Sequence, residues 1–237
     1  MAEETSGSPG KLRASGNTVL IAMVVGSLVG ALFARPFIKP WLESHGPGLT
    51  LNDWPMFASF VPWIAFSLYW EIQSKNSARA VSSESRASRS LHVLLANLAL
   101  LLIFFPSRSL SMRFLPDTMI VKLFGFASEI AGVALAIWAR RVLGRNWSGE
   151  ITIKEDHELI RSGPYRTVRH PIYSGLLLMY AGTAIVSGQV HALLGLLLAI
   201  VAYLRKTRME EANLVNAFGA RYHEYRDDTW AIIPGLY

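Results

Sequence analysis

The chain has 237 residues, 51% hydrophobic and 17% charged, with a mean hydropathy of +0.30. Soluble domains carry about a quarter charged residues, so one polytopic membrane body is expected rather than one or two water-soluble domains. The absence of cysteine excludes disulfides, thiolate nucleophiles, cysteine metal sites and prenylation of the chain itself, and the net charge of +6 is assigned to membrane orientation and anionic lipid, not to nucleic acid.

Residues 1–17 are small and polar, with Lys11 and Arg13, and read as a flexible tail. No cleavage pattern follows, so the next apolar run is expected to be a retained span. Six apolar segments are predicted: Thr18–Ala34, Pro55–Trp70, Leu91–Phe105, Met119–Trp138, Ile172–Val186 and Val190–Leu204. Several fall short of the ~20 residues that cross a bilayer, and Trp41, Trp54, Trp70 and Tyr203 extend them into the interface. The expected fold is therefore all-α, with about six transmembrane helices. Residues 18–90 form an additional pair of spans and a serine- and cation-rich linker (Ile72–Ser90); residues 91–237 form the core. Lys122 and Glu129 interrupt the fourth span. Lys122 is expected to snorkel, and Glu129 to pair within the bundle. Ser187–Gln189 is a tight turn, which makes the last two spans an antiparallel hairpin.

With the N-terminus inside and six crossings, 18 Lys and Arg residues fall on the inner side and 4 on the outer. That bias places both termini, and both charged clusters at the ends of the last hairpin, in the cytoplasm.

The first cluster is Arg161–Gly175, RSGPYRTVRHPIYSG. Upstream, Asn146–His157 is polar with a short alternation at Ile151 and Ile153, and Ser162-Gly163-Pro164 must turn. Pro171 suits the first position of the fifth helix. Such an N-terminus favours a carboxylate or phosphate beside His170–Tyr173, and Arg166, Arg169 and His170 add to that preference. The second cluster, Arg205–Leu214, places Lys206 and Glu210 one turn apart on one face, with Glu211 beside them. A ligand that needs both signs is S-adenosylmethionine, whose carboxylate suits the cations and whose ammonium or ribose suits a glutamate. Tyrosine rings suit its sulfonium. A nicotinamide cofactor would also use the cations, and residue types alone leave both open.

The run GPYRTVRHPIYSG is preceded by His157-Glu158-Leu159-Ile160 and followed by Glu210-Glu211, Phe218-Gly219, Tyr222 and Ile232-Ile233-Pro234. This set resembles the isoprenylcysteine carboxyl methyltransferase family and the related phospholipid methyltransferases over about the last 95 residues. The resemblance implies a membrane methyltransferase that binds S-adenosylmethionine without a Rossmann domain, in a C-terminal cytoplasmic pocket. It implies that His157, Leu159, Ile160 and Tyr165 line the cofactor pocket, with Arg169, His170, Pro171, Ile172 and Tyr173 from the fifth helix and its approach. Glu210 and Glu211 would hold the cofactor from the last helix. It implies that Lys206 binds the acceptor, where the eukaryotic enzymes have arginine; lysine cannot grip a carboxylate bidentately. The implied acceptor is a lipophilic or lipidated molecule reached from the membrane, an isoprenylcysteine-like carboxylate first and a phospholipid amine second.

A membrane reductase using NADPH is the rival enzyme class. Such enzymes share an RHP-containing hairpin but continue with Asn-Tyr and Gly-Glu, where this chain has Ile172-Tyr173 and Gly175-Leu176. A non-enzymatic binder would leave the clustered Tyr, His, Arg and Glu residues unexplained. His92 and His191 are expected at interfacial helix ends, Trp54, Trp63 and Trp70 at the interface or in packing, and Tyr222 and Tyr225 against the core. His223, Glu224, Asp227 and Asp228 match no metal-ligand spacing, and no metal is expected.

Overall fold

The computed structural model describes residues 54–74, 80–83, 85–105, 108–144, 147, 152–154 and 159–237. The predicted tail and the first predicted span lie outside them. In chain order the helices are α1 (Trp54–Ala58), α2 (Phe60–Ser74), α3 (Arg86–Phe104), α4 (Met119–Leu143), α5 (Pro171–Ser187), α6 (Val190–Phe218) and α7 (Ala220–Asp227). Two short strands, β1 (Ala80–Ser83) and β2 (Thr152–Lys154), pair antiparallel and are the one departure from helix among these elements. They join the linker after α2 to the segment after α4.

Among the described residues three helices, α3, α4 and α6, are long and apolar enough to cross a membrane. Of the six crossings predicted from sequence, the first lies outside the described residues, and three of the other five are this long and apolar. α5 has 17 residues and is about 26 Å long, just short of a ~30 Å hydrocarbon core. α6 has 29 residues and outruns such a core, so its charged last third projects beyond the apolar part.

Local chemistry sets the ends of these helices. The Ser85 and Thr118 hydroxyls accept from Ser88 N and Val121 N at the starts of α3 and α4. Gly188, in the left-handed region at φ 63°, turns α5 into α6. The α3–α4 connection clamps that turn: Phe114 N donates to Gly188 O (2.9 Å) and Val190 N to Met112 O (2.9 Å).

The tightest seam joins α4 to α5 along glycines seven residues apart on each helix. A Cβ at Gly132 would lie 2.5 Å from the Gly175 carbonyl oxygen, and one at Gly175 would lie 2.6 Å from that of Gly132. Gly125 and Gly182 repeat this two turns away, at 2.6 and 2.5 Å. Without a hydrophobic force between helices in lipid, such close backbone approach supplies the packing. α3 and α6 meet similarly at Gly195, whose Cβ would reach Ala99 O at 2.7 Å.

Polar tethers then fix the helices in register. Tyr180 Oη donates to Ala96 O (3.1 Å), and Trp63 Nε1 donates to Thr183 Oγ1 (3.0 Å), linking α5 to α3 and α2. His191, expected at an interface, is buried, with Nδ1 2.6 Å from Leu102 O. Arg140 is buried at the charged end of α4, where it donates to Gly144 O (2.7 Å) and Gln73 O (2.8 Å). Its guanidinium also covers the Trp147 ring at 4.5 Å. Trp63 and Trp70 pack in the core as expected.

Lys122 reaches Asp117 at 2.7 Å at the end of α4, as a snorkelling side chain does. Glu129 is fully buried, and its polar neighbours within the bundle are the hydroxyls of Ser59 and Thr183. Both hydroxyls also have carbonyl acceptors: Ser59 Oγ donates to Pro55 O, and Thr183 Oγ1 to Met179 O. Replacing the carboxyl with an apolar group of similar volume therefore leaves no hydroxyl without an acceptor, a change that is neutral or stabilising. Glu129→Leu is expected to melt in detergent at or above the wild-type temperature. A fall of several degrees would show that the carboxyl's contacts with these hydroxyls hold the bundle.

Candidate active site

The start of α5 is held in place by chain that comes after α7. Arg169 N donates to Trp230 O (2.8 Å), His170 N to Ala231 O (3.0 Å) and Trp230 N to Thr167 O (3.1 Å). Ser174 Oγ donates to Ile232 O (2.6 Å). This strap is backed by α7, whose Tyr222 and Tyr225 are buried as predicted. Tyr225 Oη donates to the Tyr165 carbonyl at 2.6 Å.

Where the hairpin's two charged ends meet, α6 presents Glu210 and Glu211 to α5. Tyr173 Oη donates to Glu210 Oε2 (2.7 Å), and the His170 ring stacks on Tyr173 at 5.5 Å, with an interplanar angle of 1°. His170 Nδ1 lies 3.6 Å from Glu210 Oε2 and Nε2 lies 3.4 Å from Glu211 Oε1. Glu211 Oε1 also accepts from Arg169 Nε at 2.8 Å. The rest of the Arg169 fork serves the strap, with Nη1 donating to Arg226 O (3.0 Å) and Thr229 O. Sequence alone suggested Arg169 for an anionic ligand; here its Nε and Nη1 donate to protein acceptors. Glu210 is a third exposed while His170 is sealed, so the open side of this network is the Glu210 carboxylate.

Burial opposes a charge on His170, but the hydrogen bonds and charges of Glu210 and Glu211 outweigh it and raise its pKa above the ordinary value of 6.5. The Tyr165 phenol is pushed above its ordinary range by burial first and by the Glu210 charge second. A raised histidine pKa adds stability that is fully present below pH 6.5 and is lost as pH rises through the folded value. Thermal stability is therefore expected to fall above pH 6.5 more steeply in wild type than in His170→Gln. Parallel pH profiles for the two proteins would refute this electrostatic role.

Of the residues predicted for a cofactor, Tyr165, Arg169, His170, Pro171, Ile172, Tyr173, Glu210 and Glu211 are brought to this one end. Leu159 and Ile160 lie half-buried on the approach, and Ile160 packs against the core. His157 lies outside the described residues. Lys206 sits one turn before Glu210 and is near enough to act on its carboxylate. Pro171 carries no N–H, and Tyr173 N and Ser174 N both donate to His170 O (2.9 and 3.0 Å), so fewer donors face a ligand than an open helix N-terminus would offer. Sequence reading missed His92, which was placed at an interface. It is buried between α3 and α6, with its ring edge-on to Tyr203 at 5.2 Å. Its place on the inner face of an apolar helix was the available signal.

Residues 120–221 match the phospholipid methyltransferase family. Protein-S-isoprenylcysteine O-methyltransferase of Schizosaccharomyces pombe is 35% identical over 38% of this chain and 40% of its own. The protein of the same name from Xenopus laevis is 26% identical over 75% of this chain and 64% of its own. Methanethiol S-methyltransferase of Pseudomonas deceptionensis is 33% identical over 30% of this chain and 27% of its own. The chain spans less than two thirds of the length of each of these relatives. The resemblance read from RHPIYSG and Glu210-Glu211 is thus matched by relatives of that kind and by the phospholipid methyltransferase family over residues 120–221.

Proposed function

We propose that the protein is an S-adenosylmethionine-dependent methyltransferase acting on a lipophilic acceptor at the membrane, with the site on the cytoplasmic side. The observation that carries this reading is Glu210, partly open, bonded to Tyr173 and set against His170 at the start of α5. An amino-acid headgroup needs an anion for its ammonium and positive partners for its carboxylate within one small site. Glu210 supplies the first; the start of α5, with the charge of the enclosed His170 behind it, favours the second. Tyr165 and Tyr173 offer aromatic surface for a sulfonium. His157, Leu159 and Ile160 are proposed to complete the adenosine side.

When bound, S-adenosylmethionine supplies an electrophilic methyl group. The residues of this chain hold and orient it, and the apolar surroundings exclude water from the nucleophile. An isoprenylcysteine-like carboxylate is the acceptor the relatives' names offer first. Lys206, standing where the resemblance expects an arginine fork, weighs against it.

The test is thermal stability of the purified protein in detergent with S-adenosylmethionine, S-adenosylhomocysteine or NADPH. A ligand at 100 times its Kd adds roughly 2.7 kcal/mol if it binds only the folded state. The adenosyl compounds are expected to stabilise the protein and NADPH to leave it unchanged. Stabilisation by NADPH alone would overturn the reading in favour of a reductase.

A further inference from the structure

We infer that the segment after α7, Thr229–Tyr237, seats its outer face in the boundary of the bilayer, so that lipid helps to hold the strap over the start of α5. Asp227 and Asp228 close α7, and the nine residues that follow, TWAIIPGLY, carry no charge. Ala231 and Ile232 are buried, while Trp230 (47%), Ile233 (46%) and Leu236 (76%) are exposed. The backbone here needs little water. Trp230 N donates to Thr167 O, Ile232 N and Ile233 N to Tyr237 O, and Leu236 N and Tyr237 N to Ile233 O. Pro234 has no N–H to satisfy, and Gly235 turns the chain at φ 81°. A segment that pairs its own N–H groups and presents apolar side chains can enter a region poor in water.

Depth decides what covers these side chains. α5, at about 26 Å, falls short of a hydrocarbon core, and the strap is bonded along its first turn, through Arg169 N, His170 N and Ser174 Oγ. Two other helices mark the same level. Gly132 faces Gly175 and Gly125 faces Gly182, and this antiparallel register, carried on, sets Trp138 about level with Arg169. Trp138 is 52% exposed, and the exposed Arg141 follows one turn later. On α6 the apolar part ends at Leu204 and Arg205 follows, just past Tyr203, whose ring lies 5.4 Å from that of Tyr173 in the first turn of α5. An aromatic girdle followed by cations is the order of side chains at a membrane surface. Trp230 falls in the same girdle as Trp138.

The charges beside the run are mixed, with Arg221 and Arg226 exposed next to Asp227 and Asp228. The contact is therefore apolar, and zwitterionic lipid is enough for it. Its effect reaches the site, because the carbonyls of Trp230 and Ala231 accept from Arg169 N and His170 N. A bilayer that binds Ile233 and Leu236 only when the strap is down shifts the chain towards that state.

The chain has no cysteine, so Leu236→Cys gives a single point for a nitroxide label. In the full chain in phosphatidylcholine nanodiscs, that label is expected to be relaxed more by dissolved oxygen than by a water-soluble nickel chelate. A label at His223→Cys, exposed on α7, is expected to show the reverse. A Leu236→Cys label that behaves like the one at His223→Cys overturns the inference. Dipolar broadening that disappears on dilution with unlabelled chain would put a second copy on the patch and overturn it as well. Ile233→Asp combined with Leu236→Asp opposes seating at this depth. A strap that is down about one time in ten raises an apparent Kd roughly 10-fold, and that loss is expected for S-adenosylhomocysteine in nanodiscs. Unchanged affinity in the double variant would overturn the link from lipid to site. This last readout rests on the methyltransfer reading above: wild type that binds no S-adenosylhomocysteine would overturn that reading, while the label at Leu236→Cys would still decide where the segment lies.

Discussion

Glu210→Gln is expected to weaken binding of S-adenosylhomocysteine by roughly 30-fold, the equivalent of losing about 2 kcal/mol from a charge-assisted hydrogen bond. The amide keeps the Tyr173 hydroxyl satisfied, so packing against α5 survives and the change acts on charge. Two losses combine: the ligand's ammonium loses its anion, and His170 loses one of the two carboxylates that raise its pKa. Tyr173→Phe removes one neutral donor to the same oxygen and should cost only about 5-fold. Titration of the three proteins by calorimetry or thermal shift ranks them. Equal affinity in wild type and Glu210→Gln would remove Glu210 from the donor site.

The second large effect belongs to the α4–α5 seam. At Gly175 an added Cβ would stand 2.6 Å from the Gly132 carbonyl oxygen and 2.9 Å from Ala136 N. Both obstacles are backbone, so no side chain can swing aside, and the helices must part. Gly175→Ala is expected to cost about 2–3 kcal/mol, a fall of roughly 5–10 °C in melting temperature. Gly175→Val should yield no monodisperse folded protein in detergent. Because α5 carries His170 and Tyr173 at one end and Gly175 within the next turn, the Ala variant should lose donor affinity as well as stability. A Val variant that melts with wild type would mean that the seam is not packed through these glycines.

The hairpin, its turn at Gly188 and the meeting of Arg169, His170 and Tyr173 with Glu210 and Glu211 were all legible in the sequence. Each rests on local rules: apolar runs of a given length, a turn too short to be anything else, and opposite ends of antiparallel helices that must coincide. The glycine seam was not legible, because Gly125 and Gly132 become a packing surface only once Gly175 and Gly182 are known to face them. The same holds for Arg140, whose acceptors are backbone carbonyls on two different elements, which no residue type announces. Glu129 was expected to find polar neighbours by the general cost of a buried charge, but that these are the hydroxyls of Ser59 and Thr183 depends on helix packing that the sequence does not display. Pairing of 80–83 with 152–154 joins segments about 70 residues apart; only the alternation at Ile151 and Ile153 hinted at a strand. His92 was misplaced because a residue six positions into an apolar helix can face lipid or partner equally well until the partner's position is known.

The strap at residues 229–232 has a consequence for how the protein is made. Every helix that contributes a side chain to the proposed donor site precedes it in the chain, yet the backbone N–H groups of Arg169 and His170 donate to the carbonyls of Trp230 and Ala231. A nascent chain halted just after α6 would hold its helices in the bilayer, with Glu210 already translated, and still lack a formed site. Methyl-donor binding should thus arise late in synthesis, in one step, after insertion is over, so that partly made chains sit in the membrane without drawing on the cell's supply of the cofactor.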